Sequence, residues 1–137
     1  MGLIHLDAGV VIGLLDADDA HHDAATAAIA RARLAGQRFG MAASAFAECL
    51  VGPARRGDHE IEIVEGLFQR LPIDVAESSP DIARLAARLR AQHRAVRLPD
   101  ALVIATAAQH AAVELITTDH RWPGSGELGL DLTITVL

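Results

Sequence analysis

Four carboxylates, Asp7, Glu48, Asp100 and Asp119, stand where side chains do chemistry. Asp7 follows the short apolar run from Leu3 to Leu6, and Asp119 follows the run from Leu115 to Thr118. Asp100 follows Pro99 at the start of a long apolar stretch, and Glu48 lies early in another. Taken singly, Asp100 and Asp119 have a plain reading, because an acid at a helix start caps it or favours its dipole. Glu48 fits no capping box, since one opened by Ser44 would place its acid at Ala47. Its neighbours Ala45, Phe46, Ala47, Cys49, Leu50 and Val51 are apolar, as are Leu6 and Ala8 around Asp7. Glu48 and Asp7 are therefore expected in surroundings where an unpaired carboxylate is costly. Two carboxylates about 4 Å apart repel by about 4 kcal/mol at an effective dielectric of about 20, so gathering four requires positive charge among them. A divalent ion supplies it. A donor set made only of oxygen fits Mg²⁺ or Mn²⁺ better than Zn²⁺, and such an ion suits hydrolysis of a phosphodiester by water.

Composition removes the rivals. All 12 basic residues are Arg, which excludes a phosphate-loop NTPase and a Schiff-base enzyme, since both need a lysine. Phosphatases and receivers that place an Asp after a first strand also rely on a lysine, and become poor candidates. A formal charge of −6 means that a nucleic-acid substrate needs a local basic surface or a bound cation. One cysteine, Cys49, makes no internal disulfide and suits a reducing cytoplasm. The N-terminus lacks a basic leader region, and no window is long and apolar enough to span a membrane.

The elements that must position the acids follow from the apolar pattern. Short apolar runs at 3–6, 39–43, 73–75, 115–118 and 132–136 read as buried strands. Between them lie helical stretches: Gly9 to Leu15 is apolar, and His21 to Ala35 is Ala-rich, with the Asp16, Asp18 and Asp19 cluster as its cap and Gly36 as its stop. Ser44 is placed to cap 45–55, with Pro53 obscuring that helix's end. Helical spacing recurs over 58–70 and at Ile82, Leu85, Ala86 and Leu89, and Pro99 suits the first position of a helix over 99–112. This alternation predicts a single domain over 1–137, an α/β three-layer sandwich with a central, mainly parallel sheet. In such sheets ligands bind beyond the carboxyl ends of the strands, where Asp7, Glu48 and Asp119 fall.

Four ordered blocks carry a resemblance: Leu6-Asp7-Ala8-Gly9-Val10-Val11, Ser44 through Gly52 around Glu48, Leu98-Pro99-Asp100 through Ala107, and Leu115-Ile116-Thr117-Thr118-Asp119. In order and spacing the chain resembles the PIN-domain ribonucleases, most specifically the VapC-type toxins of bacterial toxin–antitoxin modules. The resemblance implies that Asp7, Glu48, Asp100 and Asp119 form an acidic Mg²⁺ or Mn²⁺ site and that Thr117 adds a hydroxyl. It further implies a cytoplasmic endoribonuclease that cuts RNA by in-line water attack, is inhibited by a cognate antitoxin protein and forms a homodimer. Many relatives carry Thr or Ser directly after the first Asp, where this chain has Ala8. Two alternatives keep parts of the same pattern: a non-catalytic binding module of the same fold, and a metal-dependent phosphomonoesterase acting on small molecules.

Other polar residues have plainer readings. His21, His22 and Asp23 open a helix, where capping is favoured over metal binding. His120 and Arg121 flank Asp119, with contact to substrate or antitoxin and ordinary surface placement evenly matched. Arg55, Arg56, Arg84, Arg88, Arg94 and Arg97 are solvated helix residues or phosphate contacts. Gly124-Ser125-Gly126 lacks the strand-then-helix context of a phosphate cradle, and Trp122 is a packing residue.

Overall fold

The computed structural model describes every residue from Met1 to Leu137. Five strands alternate with helices in the order β1 (Leu3–Leu6), α1 (Ala8–Leu15), α2 (His22–Leu34), β2 (Arg38–Ala42), α3 (Ala43–Arg56), α4 (Asp58–Arg70), β3 (Ile73–Ala76), α5 (Pro80–Gln92), α6 (Leu98–Gln109), β4 (Glu114–Thr117), α7 (Ser125–Leu128) and β5 (Thr133–Val136). The sheet order is β3-β2-β1-β4-β5 and every pairing is parallel. Right-handed crossovers put α1 to α4 on one face and α5 to α7 on the other, because the chain moves from β1 out to β3 and then returns past β1 to β4. Consistent with this, α1 packs on α2 and α3, α3 on α4, and α5 on α6. β1 is therefore the reversal point of the strand order, the place where open α/β sheets bind ligands.

The core is aliphatic. Leu6, Ile104, Leu115 and Ile116 are completely buried, and only Phe39, Phe68 and Trp122 bring aromatic rings into it. Each such Leu or Ile contributes about 1.5–3 kcal/mol on burial. α6 is buried through Ala101 and from Val103 to Ala107, which is why its sequence shows almost no polar face. One polar ring sits inside: His5 of β1 is 1% exposed and packs its Nε2 against Gly40, where a Cβ would lie only 2.7 Å away. Burial, and then the charge of His110 stacked on it, hold the His5 imidazole down at about 4, so it is neutral near pH 7.

Local details differ from the sequence expectation. β2 ends at Ala42 and α3 starts at once, with Ala42 itself in the extended cap conformation. Ser44 thus falls inside the first turn and caps nothing, and its buried hydroxyl has no partner. α3 continues past Pro53 to Arg56 and stops at Gly57, whose φ of 125° no side chain tolerates easily. The acidic cluster does not cap α2, which begins after His21 without a side-chain cap. Instead Asp16 and Asp19 accept the backbone N–H groups of Asp18 and His21 at 2.9 and 2.8 Å, folding the α1–α2 turn. His22 donates through Nδ1 to the Gly13 carbonyl at 2.8 Å, a structural tie. α6 begins one residue earlier than expected, at Leu98, and β4 is shifted back by one residue.

Candidate active site

The β1–β4 pairing builds the centre of the site. The Asp7 N–H extends the ladder by donating to the Ile116 carbonyl at 2.9 Å, which brings Asp7 beside the end of β4. Asp7 is the N-cap of α1, its φ/ψ of −79° and 160° still extended at the last position before the helix begins. Its Oδ1 accepts the Ala8 N–H at 2.9 Å, and its Oδ2 accepts the Thr117 hydroxyl at 2.8 Å. Thr117 is fully buried, and its Oγ1 in turn accepts the Asp119 N–H at 3.1 Å. One hydroxyl thus ties the first acid to the backbone of the last.

Burial raises the Asp7 carboxyl to about 6, against the lowering effect of its hydrogen bonds from Thr117 and Ala8, and the negative charges of Glu48 and Asp100 raise it further. Both acids therefore act on Asp7 across space. Asp100 sits in the first turn of α6, its side chain 17% exposed and 3.6 Å from Nε of Arg97. Glu48 is exposed on α3, contrary to the expectation of an apolar setting. The buried line of α3 runs through Ala45 and Cys49, four apart, and Glu48 is turned off it. It borders an open groove of about 530 Å³ between α1 and α3–α4, together with Ile12, Asp16, Arg56 and Glu60. Cys49 beside it is buried, and burial, then Asp7 and Glu48, push its thiol up to about 12. It is inert rather than nucleophilic.

Asp119 lies two residues beyond β4 and is engaged by Arg121. Nε and the backbone N–H of Arg121 donate to Oδ1 at 3.0 and 2.9 Å, and Nη2 donates to Oδ2 at 2.8 Å. These bonds hold the Asp119 carboxyl down at about 2, well below the usual carboxylate range. The donors suit a hard cation: they are all oxygen, and one is a poorly solvated carboxylate with like charge facing it. As the side chains stand, however, no three His, Cys, Asp or Glu groups close around one point. Asp7, Thr117 and Asp119 are linked directly; Glu48 and Asp100 are near enough to act by charge; Asp119 and Asp100 are turned toward arginines.

Two participants went unrecognised in the sequence. Arg121 was balanced between surface and substrate contact, yet it holds Asp119, and its i+2 spacing from that acid was the available sign. Gly9 in α1 lies against Thr118, whose Oγ1 an added Cβ would strike. This lets the start of α1 settle on the exit of β4, and a Gly directly after the cap region was its only mark.

Residues 4–124 match the PIN domain family, and the chain belongs to it. No curated sequence matches the chain. Among solved structures, VapBC2 from Rickettsia felis bound to a DNA fragment from their promoter superposes with a TM-score of 0.74 at 11% identity, covering 98% of each chain. FitAcB from Neisseria gonorrhoeae gives a TM-score of 0.68 at 19% identity over 96% of each chain. VapC20 of Mycobacterium tuberculosis, a sarcin-ricin loop cleaving toxin, gives 0.64 at 16% identity, covering 82% of this chain and 86% of that one. At these identities the likeness is one of fold. No helix is long and apolar enough to cross a membrane.

Proposed function

We propose that this PIN domain is a Mg²⁺- or Mn²⁺-dependent endoribonuclease, the toxin of a type II toxin–antitoxin pair, acting in the cytoplasm as a homodimer. The observation that carries the proposal is the Asp7 carboxylate, tied to Thr117 at the sheet's reversal point and facing the charges of Glu48 and Asp100. Asp7, Asp100 and Asp119 would hold the ion, with Glu48 as a further ligand or as acceptor of a proton from water. A bound divalent ion polarises the scissile phosphate and lowers the pKa of water. Thr117 fixes the Asp7 carboxylate through its hydroxyl and the Asp119 backbone through its lone pair, so two donors start in register. Glu48, exposed on the groove, is itself open to bulk water.

RNA as substrate is supported by charge distribution. Between Ile82 and Pro99 the chain carries Arg84, Arg88, Arg90, Arg94 and Arg97 and no acid, in a protein of net charge −6. That segment leads into Asp100, and polyanion binding needs such a local basic surface. The antitoxin partner is supported by structural neighbours solved as toxin–antitoxin assemblies, one of them from Klebsiella pneumoniae with a TM-score of 0.62.

The test is direct. Purified protein should cut RNA with Mg²⁺ or Mn²⁺, stop with chelator, and leave sugar phosphates intact. Asp100→Asn should lower the cleavage rate by about a hundredfold or more. Cleavage that persists in chelator would remove the metal role, and preference for sugar phosphates would point to a phosphomonoesterase.

A further inference from the structure

The contact between Asp119 and Arg121 is the shortest ion pair in the protein at 2.8 Å; the others span 3.5 to 3.8 Å. It is also bidentate, with Nε on one carboxylate oxygen and Nη2 on the other. The fork and the Arg121 backbone N–H take three of the about four lone-pair sites of the carboxylate and set a positive charge against it, so a divalent ion meets both fewer free lone pairs and charge repulsion until the guanidinium withdraws. The backbone of Asp119 is held independently by Thr117, and the Arg121 side chain is 68% exposed. The guanidinium can therefore leave without disturbing the acid's position. Arg97 differs: it meets Asp100 by one contact at 3.6 Å.

We propose that Arg121 is a built-in competitor for the divalent ion at Asp119, standing in for the cation in the ion-free protein and withdrawing when the ion is seated. The inference rests on the proposed acid site and adds a residue that sets the ion concentration at which the site fills. An exposed pair of this kind shifts an equilibrium by up to about fivefold. That scale makes Arg121 a threshold, not a block: scarce ion leaves Asp119 on its own arginine, and abundant ion displaces it.

Mn²⁺ binding to the whole protein, measured by calorimetry and by the loss of the free-ion paramagnetic resonance signal, tests this without any reaction. Arg121→Met should bind Mn²⁺ about fivefold more tightly than the parent, and Arg121→Lys, which keeps the charge but loses the fork, should fall between. Arg97→Met removes an equal charge nearby without freeing Asp119 and should gain less. In the ¹⁵N spectrum, the Arg121 Nε–H signal, assigned by its absence in Arg121→Lys, should exchange slowly without ion and rapidly with Mg²⁺. Equal affinity of parent and Arg121→Met, or an equal gain from Arg97→Met, would overturn the competitor role while leaving the acid site standing. No Mn²⁺ binding by parent or variants would overturn the acid site and the competitor with it.

Discussion

Replacing Asp7 by Asn should stabilise the ion-free protein at pH 8 and cease to do so at pH 4. The Asp7 carboxyl lies at about 6 in the folded protein against an ordinary 3.8. That difference in proton affinity between the folded and unfolded chain amounts to about 3 kcal/mol. Because the folded pKa is raised, the folded state binds the proton more tightly. Its contribution is fully present below pH 3.8 and lost as pH rises through 6. Asparagine removes that penalty. Its Oδ1 keeps the cap on Ala8, but its amide must donate to the Thr117 hydroxyl that now donates to Asp7, and turning that hydroxyl elsewhere costs about 1 kcal/mol. The variant should therefore be about 1–2 kcal/mol more stable at pH 8 and no more stable than the parent at pH 4.

His5 sharpens the test. Its folded pKa of about 4 lies below the ordinary 6.5, so its contribution is present above pH 6.5 and lost as pH falls through 4. In the parent the slopes of Asp7 and His5 oppose each other between pH 4 and 6 and nearly cancel. In the variant the His5 slope is left alone, and stability should climb by about 3 kcal/mol from pH 4 to 6.5. Urea unfolding in chelator at half-unit pH steps measures both curves, and other titrating groups drop out of their difference. Parallel curves with the variant lower throughout would refute the account and make Asp7 a simple helix cap.

Thr117→Val keeps the shape but leaves the Asp119 N–H without its acceptor and Asp7 Oδ2 without its donor; a loss of about 1–3 kcal/mol in denaturant unfolding is expected. Gly40→Ala would drive a methyl into the His5 ring and should cost about 1–3 kcal/mol, read as a lowered Tm; an unchanged Tm would mean that the ring moves aside freely. Cys49, 3% exposed with its thiol at about 12, should resist iodoacetamide at pH 8 in the native protein and react after unfolding; prompt native labelling would contradict its burial.

The central strands β1, β2 and β4 were legible as short apolar runs buried over nearly their whole length, the largely exposed edge strands β3 and β5 as short runs set off by turns, and parallel order followed from the helices between them. What failed was local. Ser44 has the right chemistry for a cap, but the chain passes from β2 to α3 without a loop, so Ala42 takes the position. Glu48 was expected among its sequence neighbours, whereas on a helix the neighbours that bury a residue stand three and four away. The tie of Asp7 to Thr117 spans 110 positions, beyond any local pattern, and Thr117 entered through family resemblance alone. Arg121 was visible as a charge but not as a contact, since its grip on Asp119 depends on the turn that follows β4.

The position of β1 carries a temporal consequence. It is the first strand made and occupies the middle of the sheet, yet its neighbour β4 is synthesised almost last. A nascent chain emerges with Asp7, Glu48 and Asp100 long before Asp119, and until β4 inserts, Asp7 lacks both the Thr117 hydroxyl and the Ile116 carbonyl. Distant strand pairing of this kind is slow. The carboxylate cluster is thus put together only when the last part of the chain has been made, whichever strands have formed before it.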